Sequence, residues 1–148
     1  MHSPDISISI VSYNTCDLLR ACLQSLEARR GEVELEVIVV DNGSTDDSLE
    51  MVKADFPKVL LIDAGENLGY GRANNLGLKN AKGRHFFVLN SDTEVQPGAL
   101  RALVDFLDNH PKAGAVTAQL ILPDGSIQPS CATDPNLMKV FWEQTYLD

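Results

Sequence analysis

Short runs rich in β-branched residues alternate along the chain with longer runs whose apolar residues recur at helical spacing. The short runs predict five strands, over residues 6–12, 35–40, 59–62, 86–89 and 116–122. The longer runs predict helices over residues 15–30, 46–54, 70–81 and 97–109. The second and fourth strands are apolar almost throughout, as strands buried on both faces are. Such alternation is typical of right-handed crossovers, so we predict a three-layer α/β/α fold with a mostly parallel central sheet.

Proline and glycine refine this pattern. Pro97 suits the first position of the fourth helix, whereas Gly71 and Gly77 weaken the prediction of the third. The sequence Pro-Asp-Gly-Ser at 123–126 predicts a tight turn. Residues 127–128 would then return as the second strand of a hairpin, which departs from strict strand–helix alternation.

Length and composition fit one globular domain. The chain has 148 residues, of which 44% are hydrophobic and 22% charged, as in an average soluble protein. Because no repeat, low-complexity tract or linker marks a boundary, we expect a single domain over residues 1–148. The pattern also allows a helix over residues 137–146, for which it shows no packing partner.

Charge and cysteine content exclude several classes of function. The 12 Lys and Arg against 21 Asp and Glu give a net charge of −9, which disfavours a nucleic-acid partner. No apolar run is long enough to predict a transmembrane segment, and the amino terminus lacks the features of a signal peptide. The three cysteines are an odd number without metal-ligand spacing, so we expect reduced thiols in a cytoplasmic protein.

Polar residues cluster where the predicted strands end. Ligands of open parallel sheets bind beyond the carboxyl ends of the strands, so these residues are candidates for a binding site. The segments concerned are Ser12-Tyr13-Asn14, Asp41-Asn42-Gly43-Ser44, Gly65-Glu66-Asn67-Leu68-Gly69 and Asn90-Ser91-Asp92.

Two common nucleotide sites do not fit these segments. Asp41 lies where an acidic residue would take the ribose of a dinucleotide, but the turn after the first strand reads Tyr-Asn-Thr-Cys-Asp and lacks the required glycines. The phosphate-binding G-x-x-x-x-G-K-[ST] loop is also missing from the sequence. A nucleotide bound here therefore needs another way to offset its phosphate charge.

A divalent cation held by Asp92 would offset that charge. Mg²⁺ and Mn²⁺ are typically bound by one or two carboxylates together with phosphate oxygens. Tyr13 offers a flat face on which a base can stack, and Asp41 offers an acceptor for a base N–H or a ribose hydroxyl. Structural roles remain open for the same residues: Asp41 in a turn and helix cap, and Asn67 with Gly69 in a tight turn.

The strand-end segments resemble those of the family-2 glycosyltransferases of the GT-A fold. A later segment resembles their rhamnosyltransferase-like branch. The resemblance rests on V-S-Y-N at 11–14, V-V-D-N-G-S-T-D at 39–46, N-L-G-Y-G-R-A-N-N at 67–75, L-N-S-D at 89–92 and, for the branch, P-D-G-S-I-Q-P-S at 123–130.

The resemblance implies a site for a nucleotide-diphosphate sugar. Residues 90–92 stand at the family's Asp-x-Asp motif, with Asp92 as the metal-binding carboxylate; Asn90 departs from the motif, which lowers the charge by one and leaves an amide that can bond a ribose hydroxyl. Tyr13 and Asp41 would contact the base and ribose, and Asn67 and Gly69 would shape the pocket wall. The full implied set is Ser12, Tyr13, Asp41, Asn67, Gly69, Asn90, Ser91 and Asp92.

The family's mechanism needs more than this chain supplies. Inverting transfer requires a general base that deprotonates the acceptor hydroxyl, and in the family that residue lies downstream of the matched region. No residue of this chain is assigned as that base, and the acceptor is unknown. We therefore expect a donor-binding portion whose fold is incomplete at its C-terminus, with apolar surface that favours a homo-oligomer.

Two other functions remain in view. A non-catalytic nucleotide-sugar-binding or assembly module would need neither the acceptor half nor the base. A sugar nucleotidyltransferase would need a Gly-rich loop with a basic residue after the first strand, which the sequence lacks. For the glycosyltransferase, the resemblance implies transfer in the cytoplasm or at the inner face of the membrane, in polysaccharide biosynthesis.

Overall fold

The computed structural model of the protein describes residues 3–130, and the helix predicted over residues 137–146 lies outside them. The backbone divides into two units, the first ending at Val116 and the second beginning at Thr117. Each unit is described by itself below. The single domain expected over residues 1–148 stays a prediction.

Strands and helices alternate through the first unit. The strands are β1 (Ile6–Ser12), β2 (Leu35–Asp41), β3 (Leu60–Asp63) and β4 (His85–Asn90). The helices are α1 (Cys16–Glu27), α2 (Ser48–Asp55), α3 (Tyr70–Asn80) and α4 (Ala99–Asn109). The strands form a sheet in the order β3-β2-β1-β4, and every pairing is parallel. The predicted α/β fold with a mostly parallel sheet is therefore confirmed.

The sheet lies between two layers of helices. On one face the isoleucines of β1 share a core with buried side chains of α1, α2 and α4. On the other face Ile38 and Val40 of β2 form a smaller core with Ala73 of α3. This arrangement is the predicted three-layer α/β/α architecture, with α3 alone on its face among the described helices.

Small residues let α3 lie close against β1. Ser9 of β1 is fully buried, and its hydroxyl lies 3.2 Å from Oδ1 of Asn74. A Cβ added to Gly77 would lie 2.2 Å from Oγ of Ser9, closer than any real contact. The alternation of isoleucine and serine along β1 thus separates a bulky core on one face from close backbone packing on the other.

Two predicted elements differ from the structure of the first unit. β4 is an edge strand of the described sheet rather than a buried one, and Val88 is 40% exposed. The fourth helix begins at Ala99 rather than at Pro97, because Gly98 precedes it in the left-handed conformation with φ of +80°. The run of apolar residues in β4 thus indicated a strand but not its position in the sheet.

The second unit contains the predicted hairpin but not a long fifth strand. Only β5 (Leu120–Ile121) pairs, antiparallel, with β6 (Ile127–Gln128). Asp124 closes the turn, since its Oδ1 accepts hydrogen bonds from the backbone N–H and the hydroxyl of Ser126.

Among residues 3–130 there is no helix with the length and apolar character required to cross a bilayer.

Candidate functional site

A cleft of about 340 Å³ lies at the carboxyl ends of β1, β2 and β4. Parallel pairing brings these three ends to the same edge of the sheet, where ligands of such sheets bind. Five of the eight predicted site residues line the cleft, namely Tyr13, Asn67, Asn90, Ser91 and Asp92. The other lining residues are Val11, Thr15, Asn42 and Tyr70.

Ser12, Asp41 and Gly69, the other three predicted residues, do not line the cleft. Asp41 is only 1% exposed, and its Oδ2 accepts a hydrogen bond of 2.9 Å from the N–H of Ser44. Its Oδ1 is buried without a hydrogen-bond partner among the described residues. A buried carboxylate oxygen without a partner is costly, so this oxygen is an acceptor that a ligand donor could satisfy.

A chain of hydroxyls joins two of the strand ends. Oγ1 of Thr15 lies 3.0 Å from Oγ of the buried Ser12 and donates to Oγ of Ser91 at 3.1 Å. Ser12 ends β1, and Ser91 follows β4 directly. In the structure Ser12 thus supports the segment that carries Asp92 against β1. Its part in nucleotide-sugar binding, implied by the resemblance, stays a prediction.

Asn42 and Asn67 hold the segment before α3 against the end of β2. Nδ2 of Asn42 donates to Oδ1 of Asn67 at 2.9 Å, and Oδ1 of Asn42 accepts the N–H of Leu68 at 2.9 Å. Oδ1 of Asn67 also accepts the N–H of Gly69 at 2.9 Å. The turn-closing role left open for Asn67 and Gly69 is therefore present, and Asn67 faces the cleft as well.

Close backbone packing explains the glycine of the Asp-Asn-Gly-Ser segment. Gly43 has φ of +83°, and a Cβ added to it would lie 2.8 Å from the backbone carbon of Glu66. Only glycine combines this conformation with this approach. The segment after β2 is thereby fixed against the segment before α3.

Tyr70 lines the cleft but was not predicted as a site residue. It is the first residue of α3, its side chain is about half exposed, and its hydroxyl donates to Oδ1 of Asn90 at 2.8 Å. Its place directly after Asn67-Leu68-Gly69 was the available signal, because a helix that starts at the carboxyl edge of a sheet brings its first residues to the ligand site.

Asp92 is an exposed carboxylate in a cleft without Lys or Arg among its lining residues. Its Oδ1 accepts a long 3.4 Å contact from the hydroxyl of Thr93. Among residues 3–130, no three or more His, Cys, Asp or Glu side chains are grouped to hold a metal ion. The donor set therefore fits a cation bound by one protein carboxylate and otherwise by ligand and water oxygens, as Mg²⁺ often is.

The thiol of Cys22, which lies beneath this edge, is not suited to bind a metal ion. Sγ of Cys22 lies 3.8 Å from the backbone oxygen of Asn90. Burial, with a smaller contribution from the negative charges of Asp92 and Glu94, raises the pKa of Cys22 to about 12. The thiol is consequently neutral at physiological pH, and thiolate chemistry is not available to the cleft.

A larger cavity of about 540 Å³ lies away from this edge. Its lining includes Ile6 at the start of β1 and His85 at the start of β4, together with the segment from Ala113 to Val116. Because it opens at the amino ends of these strands, it is not part of the candidate site.

Solved structures of nucleotide-sugar enzymes share this fold. A mannosyltransferase, PcManGT from Pyrobaculum calidifontis, solved with GDP-Man and Mn²⁺, matches with a TM-score of 0.63 and 25% identity, over 72% of this chain and 33% of that one. Staphylococcus aureus TarS, solved with UDP-GlcNAc, matches with a TM-score of 0.62 and 28% identity, over 72% of this chain and 32% of that one. Both are GT-A glycosyltransferases.

A curated relative supports the same assignment. The N-acetylglucosaminyl-diphospho-decaprenol L-rhamnosyltransferase of Mycobacterium tuberculosis is 33% identical over 145 residues, which cover 90% of this chain and 47% of the relative. The chain thus spans less than half the length of this relative and about a third of each solved structure. The model of the family described as "Glycosyl transferase family 2" matches residues 7–127, most of the chain, including every candidate site residue. The chain belongs to glycosyl transferase family 2.

Proposed function

We propose that this chain forms the nucleotide-diphosphate-sugar site of a glycosyltransferase that works by an inverting, metal-assisted displacement. The observation that carries the proposal is the cleft itself, which gathers two exposed tyrosines, several amides and one exposed carboxylate at the carboxyl edge of a parallel sheet. Complexes of similar structures with GDP-Man and with UDP-GlcNAc support it.

The base and ribose would occupy the end of the cleft near Tyr13. Tyr13 is 49% exposed and lines the cleft, so a base can stack on its ring. Asp41 ends the neighbouring strand β2 at the same edge of the sheet, and its unpaired Oδ1 would accept a base N–H or a ribose hydroxyl. Reaching that buried oxygen requires the ligand to displace part of the cleft wall, which fits the absence of Asp41 from the lining residues.

The diphosphate would lie beside Asp92, which would hold the divalent cation. When bound, the cation would neutralise the charge that develops on the departing diphosphate. With Asn90 in place of a second carboxylate, we expect weaker metal affinity than a site with two would have.

The displacement exchanges one bond at the anomeric carbon for another and moves one proton to a base. The acceptor hydroxyl gives its proton to a base, its oxygen bonds to the anomeric carbon, and the bond from that carbon to the diphosphate breaks. No described residue is assigned as the base.

We further propose a cytoplasmic protein that serves polysaccharide biosynthesis, in keeping with the odd number of cysteines.

Titration with UDP, dTDP and GDP, each with and without Mn²⁺, tests the binding claim. We expect at least one of the three to bind with an affinity that rises when Mn²⁺ is added. Calorimetry measures both the affinity and the metal dependence. Absence of metal-dependent binding for all three nucleotides would contradict the proposal.

Removing the carboxylate of Asp92 should abolish the effect of the metal. We expect Asp92→Asn to weaken nucleotide binding in Mn²⁺ by about tenfold or more, equivalent to about 1.4 kcal/mol. Binding without metal should not weaken, because the lost carboxylate no longer repels the phosphates. Glu94→Gln is the matched control, because Glu94 is an exposed carboxylate two residues away that does not line the cleft. Equal losses in the two variants would show that general charge, and not metal binding, is responsible.

Turnover distinguishes the transferase from a binding-only module. A module without acceptor half or base would bind the nucleotide sugar but release no nucleoside diphosphate from it. Release above the uncatalysed background, measured with the nucleotide sugar whose base binds best, would exclude that alternative.

A further inference from the structure

One hydrogen bond in the cleft joins two of its lining residues. The hydroxyl of Tyr70 donates to Oδ1 of Asn90 at 2.8 Å, and both side chains are exposed along the same wall. Tyr70 starts α3 and Asn90 ends β4, so the bond spans from the helix on one face of the sheet to the edge strand. The half-exposed ring of Tyr70 is not part of either core cluster.

This bond determines which end of the amide is available. An asparagine side chain has one acceptor oxygen and an NH₂ group with two donors. The bond orients the amide with its oxygen toward the tyrosine hydroxyl, and no described side chain accepts from the two N–H donors of the NH₂ group, which remain for a ligand. The wall at this point therefore offers hydrogen-bond donors, whereas an aspartate at the same position would offer acceptors and a negative charge.

The segment that leads into α3 is itself held by side-chain hydrogen bonds to the residue after β2. Asn42 and Asn67 anchor the segment that leads into Tyr70, and Gly69 precedes it with φ of +79°. Tyr70 therefore follows a segment that is held in place. A residue can orient another side chain only if its own position is fixed in this way.

We infer that Tyr70 is a positioning residue that holds the Asn90 amide with its NH₂ group toward the cleft, where it donates a hydrogen bond to a ribose hydroxyl oxygen of the nucleoside diphosphate. The inference rests on the proposed function, since it names how that same site recognises the sugar of the nucleotide. It makes Tyr70 and Asn90 one unit, with Tyr70 acting through Asn90 and not on the phosphate or the metal.

Nucleotide pairs that differ only in the ribose hydroxyls test this unit. The probes are whichever of UDP, dTDP and GDP binds the wild-type chain best, and the analogue of that nucleotide whose pentose carries no free hydroxyl, both in Mn²⁺. We expect the wild-type chain to prefer the hydroxylated probe, and Tyr70→Phe and Asn90→Ala each to reduce that preference by roughly fivefold, the worth of one hydrogen bond. Affinity for the analogue should be nearly unchanged in both variants.

The double variant gives the readout that a purely structural role would not produce. If Tyr70 acts through Asn90, Tyr70→Phe should have no further effect on the preference in the Asn90→Ala background. Asn109→Ala, which removes an exposed asparagine at the end of α4, is the control and should keep the wild-type preference.

Three results would overturn the inference. Tyr70→Phe could lower the unfolding midpoint while the preference for ribose hydroxyls stays at the wild-type value, which would make the bond a structural tie only. It could weaken Mn²⁺ binding instead, which would mean that the Asn90 oxygen serves the metal. Failure of the wild-type chain to bind any of the three nucleotides would remove the proposed function and this inference together, a result distinct from the other two.

Discussion

At Gly77, packing against a neighbouring strand and the preference of the helix for other residues act in opposite directions. Glycine is unfavourable within a helix, by about 1 kcal/mol relative to alanine. Here it lies in the middle of α3, where a Cβ would approach Oγ of Ser9 to 2.2 Å and Cβ of Ser9 to 2.9 Å. The close approach of α3 to β1 therefore outweighs helix propensity at this position.

Alanine at two positions of the same helix should separate these effects. We expect Gly77→Ala to destabilise the protein by about 1–3 kcal/mol, since an extra carbon in a packed contact forces the helix outward. Gly71→Ala is the matched control, because nothing lies within 4 Å of its added Cβ, and it should leave stability unchanged or slightly raised. Urea unfolding measures both; similar losses would contradict the packing argument.

Asp41 shows what a sequence can and cannot indicate about a single side chain. Its position at the end of an apolar strand marked it as a candidate acceptor. In the structure Asp41 is almost completely buried, one of its oxygens accepts the N–H of Ser44, and the other has no partner among the described residues. This arrangement depends on the segment after β2, which folds back and brings Ser44 to the carboxylate. Local sequence does not determine that path.

At the scale of elements, the segment between β3 and α3 is held by side chains and not by regular structure. Asn42 supplies two of its bonds, one to the Asn67 side chain and one to the N–H of Leu68. Asn42 itself is 4% exposed and sits at the end of β2. Without it, the N–H of Leu68 would lose its partner, and Oδ1 of Asn67 would keep only the N–H of Gly69.

We expect Asn42→Ala to loosen this segment locally. The amide of Leu68 should exchange with solvent faster than in the wild-type chain, and the free energy of unfolding should fall by about 1–3 kcal/mol, because two part-buried hydrogen bonds of Asn42 are lost. Asn80→Ala, which removes only a bond from the last residue of α3 to its own helix, should leave exchange at Leu68 unchanged. Hydrogen exchange followed by mass spectrometry or NMR decides between them.

Periodicity located the elements well where local and tertiary preferences agree. β1 has the predicted bounds because its alternation of isoleucine and serine satisfies both faces of the sheet. The fifth strand was wrong as a long element, since most of residues 116–122 pair with nothing in the described chain and only Leu120 and Ile121 join the hairpin. Strand propensity indicates extended backbone but does not supply a neighbouring strand.

At the level of the whole molecule, acidic side chains outnumber basic ones, so each Arg or His that pairs with carboxylates matters for stability. Arg84 contacts both Asp5 and Asp108, and His85 contacts Asp108 at 2.9 Å, so the start of β4 is tied to α4 and to the segment before β1. The hydrogen bond from Arg84, and then that from His85, lower the pKa of Asp108 from its ordinary value of 3.8 to about 2.

The stability of the protein should therefore depend on Asp108 in acid. A carboxyl whose pKa is lower in the folded state stabilises the fold above its unfolded pKa and loses that contribution as the pH falls through the folded pKa. We expect wild-type stability to decline between pH of about 4 and about 2, and Asp108→Asn to decline less over that range. Asp105→Asn, the same charge change on the same helix, should follow the wild-type curve; identical curves for all three would contradict this role of Asp108.

Local periodicity and short motifs were enough to predict the order of strands and helices, the three-layer class, the edge of the sheet proposed to bind a ligand, and the family. Contacts between distant segments brought Asn67, Asn90 and Asp92 together with Tyr70 around one cleft, left Ser12 and Asp41 buried outside its lining, and made glycine necessary at Gly77. The physical reason is that these properties depend on contacts between segments far apart in the chain, whose distances of approach no local pattern encodes.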